Sequence, residues 1–211
     1  GLKMASRNAS DAQSMIDTAE AAHQEVHNML LRMREIAVQA ANDTLNDSDR
    51  TALNAEVTAL EAEIKSISDN TTFANKNINT STQTVFQVGT ANSNTLTVVF
   101  KDFDTSAISA DVSVGTASGA RSALATIDAA ISTISTRRGE LGAASNRLSS
   151  VIANLDNIAV NIAAARGRIQ DTDFAAETSN LARNQILQQA ATAMLAQANA
   201  SKGTILTLIQ A

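Results

Sequence analysis

The stretch ARSALATIDAAISTISTRRGELGAASNRLSSVIANLDNIAVNIAAARGRI, residues 120–169, decides how this chain folds. Within it Ile127, Ile134, Leu141, Leu148, Leu155, Ile162 and Ile169 recur every seven residues, with Ala120 preceding them in phase. A seven-residue apolar period marks a helix that lays one stripe along another helix. The second stripe position is weaker and reads Leu124, Ile131, Arg138, Ser145, Ile152, Ala159 and Arg166. A helix over these roughly 50 residues would be about 75 Å long at its rise of about 1.5 Å per residue. No compact monomer of 211 residues encloses such a length, so the stretch predicts an elongated rod.

Composition agrees with long helices around a thin core. The chain contains no proline, which would break helix interiors, so helices well beyond the globular average are permitted. Hydrophobic residues make up 44% but aromatics only 2%, leaving a core of Ala, Leu, Ile and Val. The absence of cysteine removes disulfides, thiolate nucleophiles and Cys-ligated metal sites. Sixteen basic against 21 acidic residues give a net charge of −5, which argues against nucleic acid and anionic lipid as partners. No apolar run is expected to span a bilayer, and residues 1–7 lack the apolar run of a secretory signal. Neither membrane insertion nor conventional secretion is therefore expected.

Upstream, small or apolar residues fall at Ala5, Ala9, Ala12, Ile16, Ala19, Val26, Leu30, Met33, Ala37 and Ala40 in alternating steps of four and three, with His23 filling one seam position. Alanine in the early layers requires a closely approaching partner helix. A polar turn over 42–49 precedes a second seam at Leu53, Val57, Leu60, Ile64 and Ile67, and Asp47 and Asp49 suit the positive end of a helix dipole. Between residues 71 and 119 Asn, Thr and Ser dominate, and β-branched runs at 84–88, 96–100 and 108–114 predict strands, the first two joined by a loop over 89–94. After Gly167 and the cluster Asp171, Thr172 and Asp173, which predict a break and a fresh helix start, a last helix carries only Arg183 and Lys202 as charges from residue 179 onward. Its broad apolar face needs a partner helix. The expected fold is mainly α: an elongated antiparallel coiled-coil-like helical rod with a small β-hairpin region inserted between N- and C-terminal helices. The expected segments are core helices over 1–70, a small β-region over 71–119, a long core helix over 120–170 and a terminal helix over 171–211.

At both ends the residues resemble bacterial flagellin, the subunit of the flagellar filament. ASRNA at 5–9 and LRMREIAVQAAN at 31–42 are similar to its N-terminal core helix. AARGRIQDTDF at 164–174, QILQQA at 185–190 and LAQAN at 195–199 are similar to its C-terminal signature. The resemblance implies a structural, non-enzymatic, self-assembling subunit for motility, found outside the cell in the flagellum and exported through the flagellar secretion apparatus without a cleaved signal peptide. It also implies a core fragment: flagellins carry a further N-terminal helical segment that pairs with the C-terminal helix along the inner tube, and the sequence starts downstream of it. The short middle resembles that of a minimal flagellin.

The implied partners are other flagellin subunits, a flagellar export chaperone and, in animals, the innate immune Toll-like receptor. Chaperone binding or inner-tube packing falls on Leu181, Ile186, Leu187, Met194, Leu195, Ile205, Leu206 and Ile209. Receptor binding falls on Leu31, Arg32, Ile36 and Glu56, with Leu31 standing where the family commonly has Gln and Ile36 where it commonly has Leu. The alternative is a flagellin-like cell-surface protein that binds polysaccharide or host surfaces through its β-region, where Phe73, Phe86, Phe100 and Phe103 are the aromatics available for stacking. A hook–filament junction protein is less favoured, because the C-terminal signature follows flagellin itself.

Other constellations have plainer readings. His23 and His27 have the i, i+4 spacing of zinc helices, with Glu20 the nearest third ligand. His23 also sits in the seam, where a satisfied core histidine is expected, so neither a metal nor a cofactor is expected. Arg137 with Arg138, and Arg166 with Arg168, suit solvated faces or pairing with acids of a neighbouring helix better than anion sites. Asp171, Thr172 and Asp173 lack the glycine turn and distant bidentate acid of a calcium loop, which leaves helix capping. No nucleophile motif or phosphate-binding glycine loop supports an enzyme.

Overall fold

The structure is a computed structural model that describes residues 1–101, 112–170 and 173–209, leaving aside the side chains of Thr82 and of 204–209. In chain order the described elements are helices α1 (Leu2–Ala40) and α2 (Asp47–Asn70), strands β1 (Thr72–Phe73), β2 (Lys76–Asn77), β3 (Thr82–Gln87) and β4 (Thr95–Phe100), and helices α3 (Ala117–Gln170) and α4 (Phe174–Ile209). The fold is mainly α, with antiparallel β-hairpins between the N-terminal and C-terminal helices. The chain divides into two units, Gly1–Val160 and Asn161–Ala211.

In the first unit α1 and α3 run antiparallel. Cross-helix bonds join Ser6 to Asp156, Gln13 to Ser145, Glu20 to Arg138 and Arg34 to Asp128, and Asp43 just past the end of α1 pairs with Arg121, so each step up α1 is matched by a step down α3. Two of these bonds explain the polar interruptions of the second stripe. The Arg138 guanidinium donates through Nε to Glu20 Oε1 at 2.7 Å, and Gln13 Nε2 donates to Ser145 Oγ at 2.7 Å. The seven-residue ridge packs beneath them, with Ile127, Ile134, Leu141, Leu148 and Leu155 all buried.

What covers this helix pair changes along its length. Over one half the third layer is α2, whose Val57 and Ile64 join Val26, Leu30, Met33, Ile36, Ile127 and Ile134 in one core. Over the other half it is the β3–β4 hairpin. There Leu96, Val98 and Phe100 alternate inward onto Ala9, Ala12, Ile16, Leu141 and Leu148. Alternate strand residues point to opposite faces, which is how one short strand supplies three core side chains. The alanine layers of α1 are what bring helix and hairpin close.

The α1–α2 turn is held by a residue that the pattern did not single out. Asn46 Oδ1 caps α2 by accepting from the Asp49 amide at 2.8 Å. Arg50, only 6% exposed, donates to the carbonyls of Ala40, Asn42 and Leu45 at 3.1, 2.9 and 2.7 Å. It satisfies acceptors left over where α1 ends.

Four sequence expectations need correction. Residues 108–111 of the expected third strand lie outside the described residues, and 112–114 form no strand. Instead Val114 is buried and its amide donates to Asn54 Oδ1 on α2 at 2.9 Å, so a side-chain acceptor replaces a ladder. The β1–β2 hairpin falls in a stretch without a strand pattern; its turn residues Ala74 and Asn75 have φ of 49° and 63°. That is the geometry of a tight two-residue turn without its usual Asn-Gly signal. Third, α3 runs through Gly167 to Gln170. A helical glycine costs about 1 kcal/mol relative to alanine, too little to break a long helix. Finally, among the described residues one helical stretch between Ala117 and Gly203 is long and apolar enough, by length and composition alone, to cross a membrane.

Candidate functional site

In the first unit, the exposed surface shared by α1 and α2 carries an ion-pair cluster. Arg32 Nε donates to Glu56 Oε1 at 2.8 Å and Nη1 to Glu35 Oε2 at 3.2 Å. These hydrogen bonds, Glu56 first and Glu35 second, raise the guanidinium above its ordinary pKa. Half of the Arg32 side chain remains exposed, so the pair holds an orientation more than it stabilises the fold. Leu31 beside it is 41% exposed. Ile36 is not on this surface: it is fully buried in the core with Leu30 and Met33. A seven-residue stripe does not by itself say whether its flanking positions face water.

In the second unit α4 is helical from Phe174 to Ile209. Its start is capped by Asp173, whose Oδ1 accepts from the amides of Ala175 and Ala176 at 3.0 and 3.2 Å, while Asp171 and Thr172 lie outside the described residues. Leu181, Ile186, Leu187, Met194 and Leu195 are all more than half exposed. Ile205, Leu206 and Ile209 lie within the helix, with side chains outside the described set. The ridge residues Ile162 and Ile169 of this unit are exposed as well. Arg166 donates to Gln170 along its own helix.

Of the two histidines, His23 is committed to packing. His23 is 3% exposed, and burial first, then the cations Arg138 and Arg137, lower its pKa from 6.5 to about 4. A neutral, buried imidazole is a core residue. Glu20, the nearest third ligand in the sequence, accepts from Arg138, and among the described residues no three acidic or histidine side chains group to hold a metal. Arg137 pairs with Glu140 at 3.5 Å. Lys101 donates to Glu140 at 3.0 Å, and that bond is the leading cause holding the Glu140 carboxyl below its usual range. The aromatics of the β-region also face inward: Phe100 is buried, Phe73 and Phe86 pack against the same core, and Phe103 lies outside the described residues.

The described residues form a mainly α protein of long packed helices, with an ion-pair cluster exposed on α1 and α2 and exposed apolar residues along α4. Comparison with known proteins gives the family. The N-terminal helical region of bacterial flagellin matches residues 1–84, and the C-terminal helical region matches residues 124–209. A flagellin of Halalkalibacterium halodurans is 41% identical over 215 residues, covering 100% of this chain and 79% of that protein. A flagellin of Bacillus subtilis is 36% identical over 247 residues, covering 100% of this chain and 81% of its own. The crystal structure of Bacillus cereus flagellin superposes with a TM-score of 0.66 at 32% identity, covering 76% of this chain and 94% of that one. The chain belongs to the bacterial flagellins, non-enzymatic structural subunits of the flagellar filament outside the cell.

Proposed function

We propose that this flagellin enters the filament through α4 and the exposed end of the heptad ridge, while α1 and α2 present the Arg32 cluster at the outer contact surface. One observation carries the reading. Leu181, Ile186, Leu187, Met194 and Leu195 are 57–71% exposed on a helix with hardly any charge. Apolar residues spread along a helix in this way are costly in water and become useful once another helix covers them. In this reading the covering helix is a further N-terminal helical segment of the kind flagellins carry, and neighbouring subunits complete the inner tube. Repeated contacts whose rotation does not close give an open helical filament.

The same helix, with Ile205, Leu206 and Ile209 toward its end, is where an export chaperone would hold the subunit before passage through the flagellar secretion apparatus. The four segments 1–70, 71–119, 120–170 and 171–211 then divide the labour: packing core, β-cover, ridge and assembly helix. Arg32, Glu56 and Leu31 form the candidate contact for the Toll-like receptor, with Ile36 acting only through the helix it supports from the core.

Electron microscopy of the subunit under polymerising conditions tests the assembly reading. Replacing Leu187 and Leu195 together by Asp is expected to abolish filaments while leaving the helical content of the first unit intact; filaments of ordinary length would overturn it. Binding of the soluble subunit to the receptor ectodomain, with at least a tenfold loss on Arg32→Ala, tests the second surface. An affinity unchanged by that substitution removes Arg32 from the receptor contact.

A further inference from the structure

Where α1, the segment after β2, the end of β4 and α3 meet, the first unit encloses a cavity of about 10 Å³. Its wall includes His23, Asn79, Phe100, Lys101, Arg137 and Glu140. Asn79 is only 4% exposed, yet among the described residues neither its Oδ1 nor its Nδ2 meets a hydrogen-bonding group. The buried Nε of Arg137, on the opposing helix, is in the same position. Buried polar atoms are hydrogen-bonded in the great majority of folded proteins. Three such atoms on residues that line one small cavity therefore point to a ligand that both donates and accepts.

Size and charge select that ligand. The volume fits about one water-sized particle and excludes oxyanions. A cation would face Lys101 and Arg137, and an anion would face the Glu140 carboxylate, which its bond from Lys101 keeps ionised. A neutral molecule with two donors and two acceptors meets no such opposition. We propose that this cavity is a specific binding site for a single water molecule, which accepts a hydrogen bond from Arg137 Nε and donates one to Asn79 Oδ1. The water fastens the β-region to α3 at the point where the cover over the helix pair passes from α2 to the hairpin. Asn79 is thereby a positioning residue for the hairpin, acting through the water it holds.

Water-selective rotating-frame Overhauser spectroscopy on the ¹⁵N-labelled full chain tests the site. Direct cross-peaks from a long-lived water to Arg137 Nε–H and to the Asn79 side-chain amide are expected; their absence in the folded protein overturns the proposal. Asn79→Leu fills the space and deletes the acceptor, so the Arg137 cross-peak should vanish, and its persistence in that variant overturns the assignment. Asn79→Asp keeps an acceptor in place and should retain the peak, so that loss in Asp as well as Leu counts against it. Crystals grown with bromide replacing chloride give an independent readout. Ordinary density at the cavity without a bromine anomalous signal supports water, whereas an anomalous peak there identifies a halide and overturns it.

Discussion

The ridge of α3 meets two fates in one helix. Ile127 and Leu148 are fully buried and Leu155 is 6% exposed, while Ile162 and Ile169, at the same seven-residue spacing, are 54% and 85% exposed. The residue types are alike, so the difference lies in what faces them. From Ile127 to Leu148 the ridge meets α1 and a third layer, with the α1 pairing reaching Asp156 opposite Ser6. Periodicity thus records that a stripe is meant to be covered and leaves open whether the same chain supplies the cover.

The sharpest way to break this contrast is truncation on both sides of it. Leu148→Ala is expected to destabilise the subunit by about 2–5 kcal/mol, the range for a large side chain lost from a packed core. Ile169→Ala should stay within about 0.5 kcal/mol in the unassembled subunit, as exposed substitutions do, while weakening filaments. Urea denaturation of both variants measures it; equal losses would mean that Ile169 is covered in solution.

A second effect comes from the polar interruption of α1. His23 is neutral in the folded state, with its pKa at about 4 against 6.5 unfolded, so the unfolded chain takes up a proton that the folded one refuses. Stability from this group is complete above about pH 6.5 and is lost as the pH falls toward 4, by about 3 kcal/mol at most. Glu20, Glu140, Arg137, Arg138 and Lys101 surround the same region. The comparison must therefore be with His23→Gln, whose denaturation midpoints should fall less steeply over that window. Identical slopes would remove His23 from the account.

Smaller still is the loss expected for Arg50→Met, which keeps bulk but deletes three bonds to carbonyls of the α1–α2 turn. It should cost about 2 kcal/mol and speed amide exchange around residues 41–46. The least effect is a gain. Ala74 sits at a positive φ that alanine disfavours and asparagine tolerates, so Ala74→Asn should raise stability by at most about 1 kcal/mol, visible as a slightly higher Tm.

These contrasts show where the sequence was legible. The seams of α1 and α3, the capped start of α2 and the hairpin β3–β4 could be read because each repeats one local rule over many residues. The family could be read from the ordered strings at both ends. Arg50, Asn54 and Asn79 could not. Their partners are backbone carbonyls, a backbone amide and a small cavity, none of which leaves a spacing in the sequence. Ile36 shows the opposite failure: its motif drew attention, and only packing placed it in the core.

Sequence alone determined that the chain forms long helices with apolar stripes, because helical periodicity is a property of neighbouring residues on one element. Tertiary structure alone decided which third layer covers each half of the α1–α3 pair, which charges bridge helices, and which part of the ridge remains open to solvent. Burial is a relation between distant segments, and its energy depends on whether the facing surfaces meet.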